Sequence, residues 1–243
     1  MIGCKCDVCI SSSPYNKRLR PSGLIRLAGK TLLIDVGPDF RQQALKYKID
    51  HLDALLLTHT HYDHIAGVDE LRVFYFKEKK ALPCLLSEET LEDLKRRYHY
   101  LFQPIGEAAT VSAQLEFHLL EEDIGEREFL GVKIGYASYF QGDMKVTGFR
   151  IGDLAYISDI RDFDDSIFVA LKGIKTLVLS ALMEGPSRVH LSFQEAISFA
   201  KKAGVHKTWL THMTHTVDYE AASKNLPPDV KLGYDGLELE FLI

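Results

Sequence analysis

Short apolar runs alternate with amphipathic segments from Gly23 to the end of the chain, and the spacing within each run predicts an element. Leu24-Ile25-Arg26-Leu27 and Thr31-Leu32-Leu33-Ile34-Asp35 predict a hairpin turning at Gly29-Lys30. Phe40 to Lys48 reads as a helix, and the run Leu52-Asp53-Ala54-Leu55-Leu56-Leu57 predicts a buried strand. Glu88 to Tyr100 predicts a helix, with Ser87 as its N-cap and acidic residues in its first turn. Leu130 to Ala137, Val146 to Ile151, Leu154 to Ser158 and Thr176 to Ser180 predict successive strands. Ser192 to Lys202 predicts a helix ended by Gly204, followed by strands over Thr208 to Thr211 and Gly236 to Leu242. No repeat, low-complexity tract or long linker interrupts this order. The mixture predicts an α/β (α+β) fold, sheets covered by helices, in a single domain over residues 1–243.

The polar residues able to carry chemistry fall at the ends of these strands. Thr58-His59-Thr60-His61-Tyr62-Asp63-His64 follows the buried run and packs three imidazoles and a carboxylate into one loop. Imidazole nitrogen and carboxylate oxygen suit zinc, manganese or iron, and a strand end is a rigid place to hold them. Such a loop aims His59 and His61 at one ion and Asp63 and His64 at a neighbour. Asp35 follows Leu33-Ile34, Asp159 follows Tyr156-Ile157-Ser158, and His212 and His215 follow Trp209-Leu210-Thr211. A single aspartate at a strand end is usually a turn or cap residue. The recurrence of such positions beside the histidine cluster is what singles them out.

Composition narrows the setting. Of 243 residues, 46% are apolar and 26% charged, which is ordinary for a globular domain. The net charge of -5 gives no footprint for nucleic acid or an anionic membrane, and Lys77-Glu78-Lys79-Lys80 and Lys95-Arg96-Arg97 read as solvated faces. No apolar stretch approaches the ~20 residues that span a bilayer, and the start has no signal-peptide core, so a cytoplasmic, reducing location is expected. Three of the four cysteines fall in Cys4-Lys5-Cys6-Asp7-Val8-Cys9. In a reducing compartment that clustering points to thiolate ligation of zinc, which needs a fourth ligand from elsewhere. Cys84 is one candidate, although its apolar neighbours suit a buried core cysteine; His215 is the better one.

The chain resembles the metallo-β-lactamase superfamily, whose His-x-His-x-Asp-His motif is complete here as His59, His61, Asp63 and His64. Further segments resemble one branch, the metal-dependent phosphodiesterases typified by the phosphoribosyl cyclic phosphodiesterase of the carbon–phosphorus lyase pathway. They are Gly3 to Cys9, Asp35-Val36-Gly37-Pro38-Asp39-Phe40-Arg41, Gly67 to Arg72, Thr211-His212-Met213-Thr214-His215 and Gly233-Tyr234-Asp235-Gly236. The resemblance implies a four-layer αββα sandwich with two divalent ions, zinc or manganese, at one edge of the sheets. His59 and His61 would bind the first ion, Asp63, His64 and His212 the second, with Asp159 bridging. His215 would close a structural zinc site with Cys4, Cys6 and Cys9, a clip over residues 1–9; its offset from His212 turns the two imidazoles to opposite faces of an extended segment. Asp35 would support the histidine loop from behind, a common need of ligand imidazoles. His190 would sit near the scissile phosphate and act in catalysis together with Asp63.

Two departures from that pattern stand out. Where the family has a further ligating histidine, this chain has Gln141 in Tyr139-Phe140-Gln141-Gly142-Asp143, with Asp143 as a nearby substitute. An amide oxygen is a much poorer zinc ligand than imidazole, so the expectation is an asymmetric two-metal site. The family also has a leading strand before the cysteines, whereas this sequence starts at Met1-Ile2-Gly3; the expectation is that the strand is missing or that the start was assigned late. The resemblance implies hydrolysis of small phosphodiesters, cyclic ones included, by a hydroxide bridging two ions. Competing readings are a lactonase or thioesterase, a tRNA-processing endonuclease (disfavoured for want of a basic arm), or a binding protein weakened in catalysis at Gln141. The expected partner is a small phosphodiester, with membrane and nucleic acid disfavoured and a homodimer left open.

Overall fold

The computed structural model describes residues 1–103 and 111–243 and divides into two compact units, residues 20–122 and residues 1–19 with 123–243. The unit of residues 20–122 holds a five-stranded sheet of β1 (Gly23–Leu27), β2 (Lys30–Ile34), β3 (Ala54–Leu56), β4 (Leu82–Leu86) and β5 (Leu115–Leu119) in that order. Only the β1–β2 pair is antiparallel. Its turn is Ala28-Gly29, at φ 50° and 75°, one residue earlier than predicted. Two successive positive φ values match the right-handed twist of a tight hairpin, and glycine takes the second without strain. The helices Phe40–Tyr47, Tyr62–Ile65, Arg72–Glu78 and Glu88–Arg97 complete this unit. Ser87 caps the last of them by accepting from Thr90 N–H at 3.2 Å, as predicted. The helix ends earlier than predicted, and a 3₁₀ turn over His99–Phe102 follows. Leu33, Leu55, Leu57, Val68, Phe74 and Leu94 are among its core residues.

The unit of residues 1–19 and 123–243 holds a seven-stranded sheet with the order β12-β11-β10-β9-β8-β7-β6. The strands are β6 (Ile124–Phe129), β7 (Val132–Gln141), β8 (Met144–Ile151), β9 (Leu154–Ile157), β10 (Thr176–Ser180), β11 (Lys207–Thr211) and β12 (Val230–Leu232). Strands β9 to β12 are parallel, and β6 to β9 form antiparallel hairpins. The short helices Asp7–Ile10, Ile167–Ala170 and Tyr219–Ser223 and the longer Phe193–Ala203 belong here. The last starts with a reciprocal capping box of Ser192 and Glu195 and ends on Gly204 at φ 69°. Such a box satisfies two orphan donors at the helix start. Tyr139, Ile157, Leu179, Phe199 and Leu210 are among the core residues of this unit.

Two expectations change. Residues Gly236 to Leu242 form no strand; near its end the tail is tied to Asp153, where Leu242 N–H donates to Asp153 Oδ1 at 2.7 Å and Asp153 N–H to Leu242 O at 2.8 Å. The strand beside β11 is Val230–Leu232, too short to show a period. The predicted strand from Leu130 starts two residues later, because Leu130-Gly131, at φ 54° and 78°, is the turn of the β6–β7 hairpin. Among the described residues no helix is long and apolar enough to cross a membrane.

Candidate metal centres

Asp35, at the carboxyl end of β2, organises the histidine loop that follows β3. Its carboxylate is fully buried and accepts from Thr58 N–H at 2.9 Å, Thr58 Oγ1–H at 2.8 Å and His64 Nδ1–H at 2.7 Å. Because Thr58 Oγ1 gives its proton to Asp35, it accepts from His59 Nδ1–H at 2.9 Å. Both imidazoles are thereby held with Nδ1 protonated and the Nε2 lone pair turned outward, the tautomer a metal ligand needs. His59 Nε2 lies 3.0 Å from His61 Nδ1, and the His59 ring packs at 4.2 Å on that of His64. Two nitrogens ~2.0–2.1 Å from one zinc in a tetrahedron are roughly 3.3 Å apart, so the His59–His61 pair fits a shared ion. Asp63 Oδ2 is 3.8 Å from His64 Nε2.

Local backbone geometry makes this loop compact. Val36 N–H donates to His64 O at 2.7 Å and Gly67 N–H to Val36 O at 2.8 Å, pressing the turn after β2 against the loop. A Cβ on Gly37 would lie 2.2 Å from Asp63 O, and one on Gly67 2.3 Å from Gly37 O, so both positions exclude a side chain. Thr60 Oγ1 donates to Asp93, which also accepts from Arg97 Nε at 2.7 Å.

In the other unit Asp159 lies two residues beyond the end of β9 and His212 one residue beyond the end of the parallel β11. Asp159 is 2% exposed and accepts from Ser158 Oγ–H at 2.8 Å; His212 Nε2 lies 3.2 Å from Asp159 Oδ1. The His190 ring stands 4.9 Å from that of His212. Asp159, His190 and His212 each present a ligand atom within 4.8 Å of the others. Two imidazoles and a carboxylate suit zinc, manganese or iron. Gln141, the last residue of β7, is buried, and its amide nitrogen lies 2.9 Å from His190 Nε2. Asp143 stands exposed in the β7–β8 turn and belongs to none of the ligand clusters among the described residues.

The cysteine clip is assembled around His215. Cys4 Sγ and Cys6 Sγ lie 3.7 and 3.6 Å from His215 Nδ1, and the ligand atoms of Cys4, Cys6, Cys9 and His215 all fall within 4.8 Å of one another. A tetrahedral zinc with ~2.3 Å sulfur and ~2.0–2.1 Å nitrogen bonds has sulfur–nitrogen edges of roughly 3.6 Å, so this donor set fits zinc. Hydrogen bonding to His215 brings the Cys6 thiol down to about 6. Cys84 lies in β4, fully buried, and burial pushes its thiol up; it takes no part in the clip.

Sequence reasoning missed one feature of these centres. Asp35, Asp159 and His212 all adopt left-handed backbone, at φ 59°, 53° and 61°. Such strain collects where a fold over-determines a functional residue. Nothing in residue type or period announces it.

Residues 30–213 match the family model described as a beta-lactamase superfamily domain, and the chain belongs to that superfamily, in its metallo-β-lactamase form. Within it the chain is similar to the crystal structure of a diphosphatase from the PhnP family. The two are 35% identical, at a TM-score of 0.90 over 99% of this chain and 91% of that one. An octanoyltransferase of Porphyromonas gingivalis is 32% identical over 98% of this chain but 48% of its own length, so the chain spans about half of that relative. A ribonuclease Z of a Mycobacterium species is 26% identical over 93% of this chain and 91% of its own.

Proposed function

We propose that the chain is a metal-dependent hydrolase of the phosphodiesterase type, acting on a small phosphodiester or diphosphate. The observation that carries this reading is the His59–His61–His64 loop, in which the imidazoles of His59 and His64 are held by Thr58 and Asp35 in the ligand tautomer. The similarity to a PhnP-family diphosphatase supports phosphorus over carbonyl carbon as the reacting centre. In this reading His59, His61, Asp63, His64, Asp159 and His212 are the ligand residues for two divalent ions, and Cys4, Cys6, Cys9 and His215 hold a structural zinc.

Bound ions would supply Lewis acidity, lowering the pKa of water toward neutrality and offsetting phosphoryl charge. The chain's own groups do the rest. Asp35 accepts from His64 directly and from His59 through Thr58, so both imidazoles stay aimed without reorganising. Water gives up one proton to solvent and its oxygen adds to phosphorus as the bond from phosphorus to the leaving oxygen breaks; a ring N–H of His190 gives that oxygen its proton and the ring is reprotonated from solvent.

A panel of bis(p-nitrophenyl) phosphate, a 2′,3′-cyclic phosphate, a dinucleoside diphosphate, a lactone and a precursor tRNA tests the reading. The expected result is manganese- or zinc-dependent turnover of a phosphate substrate that His61→Ala abolishes. Preference for the lactone or the tRNA would overturn the substrate class, and full activity in His61→Ala would remove His61 from the site.

A further inference from the structure

Asp35 and Thr58 aim His59 and His64, and a second carboxylate grips the same loop between its first two histidines. Thr60, flanked by His59 and His61, is fully buried, and its hydroxyl donates to Asp93 of the helix Glu88–Arg97. The imidazoles on either side converge, with His59 Nε2 3.0 Å from His61 Nδ1, while the side chain between them is spent on the helix. A grip on Thr60 therefore acts on the short stretch of backbone that sets the separation of the two rings.

Asp93 is itself held firmly. Strands β3 and β4 are parallel neighbours, and Leu57 N–H, just beyond β3, donates to Leu85 O in β4 at 3.0 Å. The loop after β3 and the helix after β4 thus leave the sheet at the same edge. Ser87 caps the helix start, and Leu91 and Leu94 are buried in the core, so the turn that carries Asp93 is fixed from below. Arg97, one turn further on, donates from Nε to Asp93 Oδ2 at 2.7 Å. An ionised acceptor makes a shorter and stronger hydrogen bond than a neutral one, and the guanidinium offsets its charge beside the buried hydroxyl. With its carboxylate committed to Thr60 and Arg97, Asp93 belongs to none of the ligand clusters among the described residues.

We propose that Asp93 is a positioning residue for the first ion: through Thr60 it fixes the segment between His59 and His61 and so sets the spacing at which the two imidazoles meet that ion. The proposal rests on the reading of His59 and His61 as ligands of one ion. Groups behind metal ligands commonly govern affinity in this way, by removing the freedom the ligands would otherwise lose on binding. The loop is then braced from two carboxylates, Asp35 for His59 and His64 and Asp93 for the His59–His61 pair.

Alanine is a strong helix former, so Asp93→Ala leaves the helix intact while removing the grip. Chelator-stripped protein, given back zinc for the clip, is titrated with cobalt(II), and protection of Cys6 from alkylation reports that the clip is filled. The expected result is cobalt affinity weaker by about 10- to 100-fold and altered cobalt d–d bands, with the clip filled as in the parent. Asp93→Asn, whose amide oxygen still accepts from Thr60 Oγ1–H, should recover most of the affinity and the parental bands. Thr60→Val keeps the shape without the hydroxyl; it should match Asp93→Ala, and the double variant should be no weaker than either. Arg97→Ala breaks only the exposed ion pair and should bind as the parent does. Parental affinity and bands in Asp93→Ala would overturn the proposal, as would losses that multiply in the double variant or an Arg97→Ala as weak as Asp93→Ala. A parent that binds no ion beyond the clip zinc would overturn it together with the metal-site reading. A parent that binds ions but hydrolyses no phosphate substrate would sink the hydrolase reading alone.

Discussion

At the scale of single residues, Asp35 bears the histidine loop. One buried carboxylate answers two donors of Thr58 and one of His64, so its loss strands buried N–H groups at about 1–3 kcal/mol each. Asp35→Ala should lower unfolding free energy by about 2 kcal/mol or more and weaken metal binding by about 10- to 100-fold. Denaturant titration and a competitive chelator read the two effects, and unchanged metal affinity would contradict the account. The cysteines divide in the same way. Cys6, drawn down to about 6, is mostly thiolate at neutral pH, whereas burial pushes the Cys84 thiol up. In chelator-treated protein iodoacetamide should label Cys6 quickly at pH 7.5, slowly at pH 5, and not at all once zinc is restored, with Cys84 inert throughout. Because the folded pKa of Cys6 lies below its ordinary value of 9.0, ionisation favours the folded clip most above that value; the contribution is gone once the pH falls through about 6. Residue identity was enough to find His59, His61, Asp63 and His64, since their neighbours in sequence are their neighbours in space. It was not enough for Gln141, whose partner His190 lies 49 positions away.

Elements carried a mixed signal. Strands with an unbroken apolar run or clear alternation, such as β2, β9 and β10, stood out, as did the helix Phe193–Ala203 with its capping box. Strands β5 and β6 did not: both lie at sheet edges, and charged residues such as Glu116, Glu126 and Glu128 break their apolar pattern. The tail from Gly236 had the alternation but forms no strand, so period alone misled. Turn geometry decides more than period around the site. Gly37→Ala would drive a Cβ into Asp63 O, and relief should cost about 1–3 kcal/mol and displace the loop that carries Asp63. The checks are a denaturation midpoint and metal content, and a fully stable, fully loaded variant would contradict the close approach. Ser192→Ala, which removes only a cap, should cost about 1 kcal/mol without changing metal content, measured in the same way.

For the whole molecule, the superfamily assignment and the local donor geometry agree on what kind of protein this is. The zinc clip and the Asp159–His190–His212 cluster are each built inside one compact unit from residues far apart in sequence, whereas the histidine loop is a contiguous segment of the other unit. Similar proteins include a diphosphatase and a ribonuclease Z, so membership of the superfamily does not by itself name a substrate. The measurement that bears most directly on the central claim is hydrolysis of bis(p-nitrophenyl) phosphate by chelator-stripped protein as manganese or zinc is added back. The account predicts no turnover without metal and recovery that saturates with ions bound beyond the structural zinc. Turnover that persists after stripping, or none at any metal loading on any phosphate substrate, would contradict it.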